Sequence, residues 1–416
     1  MAARHARHAR TVAPGGRVLG PVLVAAAVVT ILGAVSLLWP TGRARQGRSA
    51  LQPAVSSSSA QALRSTVTHG SPLSPSAPES LAAASWLAPI TSGAGGHLRP
   101  GSTPSALPAP LLIADKLNNR LVVVDPQGRV RWQFPRHGDL RVGQTFQVPD
   151  DAFFTPDARY IIATQEDQAV ITLIDIAAHR IAYRYGVPGQ PGMGPNHLDN
   201  PDDAMVLPNG EILSADIKNC RIVLIAPGAH RPLHVLGLST QACLHDPPRR
   251  WGSPNGVFPM ANTHYLVTEI NGDWVDEIGL DGTVYWSTHA PGVTYPSDTN
   301  QIGADRYLTV DYAQPGQAVI FDHRGRKLWS YQGSGSNALD HPSLALGLPN
   351  GDVVLNDDYN HRVIVIDPRT NHIVWQYGVT GIAGAGPGYL DNPDGIDLVP
   401  PRSLLVTHAG TMGSWP

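Results

Sequence analysis

An all-β fold, a six-bladed β-propeller, is what this sequence predicts, on three observations. One short frame is written three times, as Asp115, Asn118 and Arg120, as Asp216, Asn219 and Arg221, and as Asp357, Asn360 and Arg362. Prolines open apolar segments at Pro149, Pro201, Pro254, Pro296, Pro342 and Pro393, 42 to 53 residues apart. A tryptophan recurs in the same place after a turn, at Trp132, Trp286, Trp329 and Trp375. Self-similarity at this period, filled with short strands and Gly/Pro turns, signals a propeller. Seven blades are the alternative, because Leu404 to Thr407 is left over.

In chain order, residues 1–17 form a basic tail carrying Arg4, Arg7, Arg10 and Arg17. Residues 18–39 hold no charge over 22 positions, enough to span a bilayer at about 1.5 Å rise per residue. That stretch outruns a signal-peptide core and no small-x-small cleavage site follows it, so it reads as a transmembrane signal anchor. The positive-inside bias puts the N-terminus in the cytoplasm and the propeller outside, on a single-pass protein of the cell membrane. Secretion after signal cleavage is the alternative. Residues 40–108 are Ser/Pro/Ala/Gly-rich without sustained amphipathic periodicity, the composition of a disordered linker.

Residues 109–416 carry the propeller. Each repeat should run through an inner strand after the proline, a second strand ending in a polar residue, a third strand after the Arg, and an outer strand bearing the Trp. The second strands are expected at 111–114, 160–163, 212–215, 265–268, 307–310 and 353–356. The strand after Pro393 has no blade of its own and should pair with the segment 111–135, closing the ring and removing free edges.

Composition agrees. Of 416 residues 42% are hydrophobic, and 42 Gly with 38 Pro supply many turns. The net charge of −3 hides seven Arg and no acid in residues 1–50, which leaves 23 basic against 33 acidic side chains beyond them. An acidic body with no basic stripe excludes nucleic acid as a partner. The Gly-rich runs 186–194 and 378–388 precede no helix, so nucleotide phosphates have no cradle there.

The Asp-x-x-Asn-x-Arg frame resembles the NHL repeat of six-bladed propellers. The turn-plus-Trp element, as in Val124 to Trp132 and Ile366 to Trp375, also resembles the pyrroloquinoline-quinone-type repeat. The resemblance implies the fold and no activity. Quinone enzymes of that type have eight blades, so no PQQ is expected in six.

The acidic column Asp115, Gln165, Asp216, Glu269, Asp311 and Asp357 ends the second strands. Asp115–Arg120, Asp216–Arg221 and Asp357–Arg362 read as structural pairs, since a repeat shares interface chemistry whereas an active site is unique. The residues after the prolines should crowd the mouth of the central channel. Asp150, Asp202, Asn255, Asp298 and Asp394 there form a donor set for Ca²⁺ or another divalent cation, with an Asx-type turn as the competing explanation. Similar P-N-G and P-D-G turns occur in metal-dependent lactonases of the gluconolactonase group, which implies a hydrolase as one option. His197, His245, His341 and His408 lack metal-ligand spacing and read as loop residues. Trp251, Asn271, Asp273, Trp274, Tyr295 and Tyr312 cluster where the repeat degrades, and aromatics beside carboxylates suit a sugar or a peptide. The favoured function is therefore a binding or scaffold module for a protein, glycan or small-molecule ligand, with a lactonase-like hydrolase at the channel mouth as the alternative. Cys220 and Cys243, the only cysteines, lie on loops that leave the same face of the ring and are expected to form a disulfide.

Overall fold

The structure, a computed structural model, describes residues 96–237 and 242–399. The basic tail, the 18–39 segment, the linker up to residue 95 and Leu404 to Thr407 lie outside the described residues. Among those described, no helix is long and apolar enough to cross a membrane.

Six antiparallel sheets of four strands make the ring. Blade 1 begins with β1 (Leu111–Asp115), β2 (Arg120–Val124) and β3 (Val130–Phe134). Blade 2 holds β4 (Ala152–Phe154), β5 (Tyr160–Gln165), β6 (Val170–Asp175) and β7 (Arg180–Tyr185). Blade 3 holds β8 (Pro201–Val206), β9 (Ile212–Asp216), β10 (Arg221–Ile225) and β11 (His234–Leu236). Blade 4 holds β12 (Pro254–Pro259), β13 (Tyr265–Glu269), β14 (Trp274–Ile278) and β15 (Val284–His289). Blade 5 holds β16 (Pro296–Gly303), β17 (Arg306–Asp311), β18 (Gln317–Phe321) and β19 (Lys327–Tyr331). Blade 6 holds β20 (Ala345–Gly347), β21 (Val353–Asp357), β22 (Arg362–Asp367) and β23 (His372–Gly378). The last strand, β24 (Pro393–Leu398), returns to pair with β1, so both ends of the propeller share blade 1 as the sequence predicts.

Burial explains the residue choice. Second and third strands are covered by neighbouring blades on both faces, so β2 and β22 run as near-continuous β-branched segments, whereas outer β15 alternates half-buried and exposed. Apolar clusters fill the space between consecutive blades, as with Leu121, Trp132, Phe134, Ile161 and Ile174 between blades 1 and 2. The recurrent Trp is a staple. Trp132 donates to Ile176 O in blade 2, Trp329 to Asn371 Oδ1 in blade 6, and Trp375 to Pro126 O in blade 1. Trp286 departs and bonds Glu277 of its own blade.

The linker assignment needs shortening at its C-terminal end. Arg99 N donates to Gln376 O and Thr103 N to Val374 O, and Leu107 is buried. Residues 97–107 thus lie along the outer edge of β23 and cover it.

Candidate functional site

The acidic column performs one task in all six blades. Asp115, Asp216 and Asp357 accept the backbone N–H of Asp391, Asp199 and Asp340, each at 2.7 Å. Asp311 accepts Thr294 N at 3.0 Å, Glu269 accepts Gly252 N, and Gln165 Nε2 donates to Gln147 O at 2.8 Å. Every partner stands two residues before a mouth proline. The column therefore anchors the segments that enter the inner strands. In three blades the second carboxylate oxygen takes an arginine Nε, at 2.6 Å for Arg120 and 2.7 Å for Arg221 and Arg362. Burial raises the pKa of Asp115, Asp216 and Asp357, Asp216 to about 6, against the pull of their arginines.

Anchoring the entry segments sets the channel mouth. Asp150, Asp202, Asn255, Ser297, Ser343 and Asp394, each next after its proline, all line a cavity of about 80 Å³. The residues following the column add Lys116, Glu166 and Tyr312 to the same wall. The sequence reading overlooked Lys116 and Glu166, although Lys116 is one of only three lysines in the chain. The Lys116 ammonium donates to Asp150 and to Asp394 Oδ2 at 2.6 Å, and lies 3.6 Å from Glu166 Oε2. Burial works against that ammonium, but Asp150, Asp394 and Glu166 outweigh it and hold its pKa well above the lysine value. Burial likewise pushes Asp394 up, yet Lys116 and hydrogen bonds keep it below the ordinary carboxylate range. Asp150, buried and facing the charged Asp394, is pushed well up. The carboxylates expected to hold a cation at Asp150 and Asp394 are thus already bridged by a lysine. Asp202 is different. Among the described residues no basic side chain pairs with it, and burial with its acidic neighbours raises its pKa well above normal.

Asp298 does not belong to this layer. It is the second residue after its proline, as are Asp151 and Asp203, and the three form a second cluster that meets the mouth at Asp151. Strict strand alternation would turn consecutive side chains to opposite faces. Register irregularities between Pro201 and Ala204 and between Pro296 and Thr299 break that alternation at the strand entries. A bulge re-aims side chains in this way, so two successive positions reach the channel.

The six residues singled out for ligand binding separate. Tyr295 and Tyr312 line the mouth with ring centroids 5.5 Å apart. Burial, then the nearby Asp202, pushes the Tyr295 phenol up to about 12. Trp251 is fully buried and donates to Leu236 O at 3.2 Å, so it is core, filling the step between blades 3 and 4. Asp273 has φ 58° and is the left-handed turn residue that Asn119, Cys220 and His361 supply in other blades. Asn271 ties down the loop before β12 through Cys243 O and Ser253 Oγ. Trp274 stacks on His245 at 4.0 Å.

His245, read from sequence as a loop residue, replaces the missing arginine of blade 4. Its Nδ1 lies 2.9 Å from Glu269 Oε1 and 3.9 Å from Asp276 Oδ2. Burial lowers its pKa and raises that of Glu269 to about 7. The signal was weak, because the partner comes from an insertion and not from the repeat. The Cys220–Cys243 disulfide is present, with Cα atoms 5.1 Å apart, and pins the insertion that carries His245.

No protein-family model matches the sequence, and no curated protein matches it. Similar solved structures include a protein of unknown function from Bacteroides caccae, 16% identical with TM-score 0.48 over 69% of this chain and 97% of that one. A streptogramin B lyase is 19% identical with TM-score 0.40, over 56% of this chain and 68% of its own. Hydrazine synthase of Kuenenia stuttgartiensis is 13% identical with TM-score 0.42, over 67% and 80%.

Proposed function

We propose that this chain is a membrane-anchored, extracytoplasmic propeller that binds a protein or peptide partner through its loop face. Support comes chiefly from the channel mouth, where Asp150, Asp202, Glu166 and Asp394 gather beside Tyr295 and Tyr312 around about 80 Å³. Ligand pockets for whole small molecules run to roughly 300–1,000 Å³, so this space suits one protruding group of something larger. Carboxylates flanked by aromatic rings favour an ammonium or guanidinium, and Lys116 shows the chemistry from within the chain. Asp202, without a basic partner, is the receptor for an incoming cation.

The test is binding of the full-length protein in detergent to immobilised peptides that differ by one Lys or Arg against Ala. Basic peptides should bind, more weakly as salt rises, and Asp202→Asn should abolish the preference. Equal binding of basic and neutral peptides would end this reading. A metal-dependent hydrolase is the second reading, favoured by oxygens of Asp150, Asp151 and Asp202 within 4.8 Å of one another. Lactone hydrolysis that requires Mn²⁺ or Ca²⁺ and stops on chelation would establish it.

A further inference from the structure

The second positions after the six prolines read Asp151, Asp203, Gly256, Asp298, Leu344 and Gly395. Three carboxylates therefore enter one tier of the channel, from blades 2, 3 and 5. One oxygen from each lies within 4.8 Å of the other two. Asp203 is wholly buried, Asp298 is 1% exposed and Asp151 is 4% exposed. Asp203 Oδ2 accepts Val257 N at 3.1 Å, but Oδ1 of Asp151, Asp203 and Asp298 is in each case buried without a hydrogen-bond partner. No basic side chain pairs with any of them among the described residues, since Lys116 serves Asp150, Asp394 and Glu166 above.

The blade between Asp203 and Asp298 contributes a glycine, and that choice is informative. A Cβ at Gly256 would stand 2.5 Å from Asp298 Oδ1 and 3.0 Å from Asp203 Oδ2. The two carboxylates lean together over an inner strand that offers no side chain at this position. Three buried carboxylates with converging oxygens that lack hydrogen-bond partners repel one another at great cost unless a cation or protons compensate them. An all-oxygen donor set on flexible strand entries selects a hard ion, and a threefold negative set favours a divalent one.

We propose that Asp151, Asp203 and Asp298, converging over Gly256, bind a hard divalent cation of the Ca²⁺ class inside the channel, where it links blades 2, 3 and 5. The site adjoins the mouth and shares Asp151 with its wall, but Asp203 and Asp298 do not line the mouth cavity, and the peptide-binding reading rests on Asp202 and does not depend on it.

The experiment uses full-length protein in detergent, stripped with EDTA, then titrated with Ca²⁺, Mg²⁺ or Mn²⁺ while Tm and bound metal are measured. One ion per chain and a Tm that rises with its free concentration are expected, because an ion that binds only the folded state stabilises it. Asp203→Asn should weaken binding at least roughly tenfold. In EDTA the same variant should melt no lower than the parent, because a repelling charge has gone, so lost binding cannot be mistaken for misfolding. Gly256→Ala keeps every acid but intrudes between two of them, and should weaken the ion as well. Asp394→Asn alters only the mouth and should leave it bound. No retained ion and no Tm response to any of the three metals overturns the proposal, and means that shared protons hold the tier together. Binding lost with Asp394→Asn but kept in Asp203→Asn also overturns it, and places the ion at the mouth.

Discussion

Replacing Arg362 by Leu tests whether the repeated Asp…Arg pair is a clamp whose worth follows its burial. The Arg362 side chain is fully buried, with Nε 2.7 Å from Asp357 Oδ2. Its other nitrogens donate to Ser336 O and Thr380 Oγ1, both at 2.9 Å, and to Ala338 O at 3.1 Å. Leucine would leave Asp357 charged in the interior and take the arginine's bond from Ser336 O, while Ala338 O keeps Asn360 Nδ2, a loss of about 3–5 kcal/mol. Arg120 makes a similar pair, but its side chain is 16% exposed and one of its carbonyl contacts is a long 3.4 Å. Water can replace part of it, so Arg120→Leu should cost only roughly 1–3 kcal/mol. Urea unfolding followed by tryptophan fluorescence measures both. Burial already raises the Asp357 pKa, and losing Arg362 raises it further. An acid raised above its unfolded value destabilises the fold as pH rises, so the Arg362→Leu loss should be larger at pH 8 than at pH 5. Adding Asp357→Asn to Arg362→Leu should recover part of it. A loss below about 1 kcal/mol for Arg362→Leu, or equal losses at the two arginines, would refute burial as the cause.

Three further outcomes are expected. Cys220→Ser with Cys243→Ser should lower stability by about 3 kcal/mol for a loop closed across 23 positions, and a non-reduced sample should show no titratable thiol. The raised pKa of Glu269, about 7, gives its protonated form an advantage in the folded state that is complete below its unfolded value and lost as pH rises through 7. Stability should fall between pH 5 and pH 8 by about 3 kcal/mol from this group, Glu269→Gln should flatten the profile, and a parent profile that rises instead would contradict it. Protease added to intact cells should remove the propeller and spare a short N-terminal fragment, whereas a soluble form starting near residues 40–50 would show a cleaved signal.

Strand order and ring closure were legible because each blade must solve the same local problem, so its anchoring residues repeat and announce the period. Asp115, Asp216 and Asp357 recur for that reason, and so does Trp132 with its counterparts. The mouth was legible only in its first layer. Grouping Asp298 with Asp202 overlooks that Asp298 stands one position further from its proline, and the irregular register at the strand entries separates the two. Lys116 and Glu166 escaped notice because they follow a structural residue within a loop, where no periodicity marks orientation. Trp251 looked like a surface aromatic because the repeat is degraded around it, but degraded sequence there reflects an insertion packed against the core. His245 lies 24 residues before its partner Glu269, on that insertion, and no spacing rule connects them.

Ring closure bears on the order in which the protein is made. A ribosome delivers β1 first and β24 only some 280 residues later, so the inner edge of blade 1 waits for nearly the whole domain to be synthesised. Contacts so distant in sequence slow folding, and an unpaired edge invites pairing with other chains. The Lys116 ammonium waits as well, because Asp394 arrives with that final strand. Chains interrupted before Pro393 would therefore lack both the last strand and the second carboxylate that holds the lysine. The channel mouth is completed in the same step that seals the ring, so a nascent or truncated copy lacks the finished acidic rim.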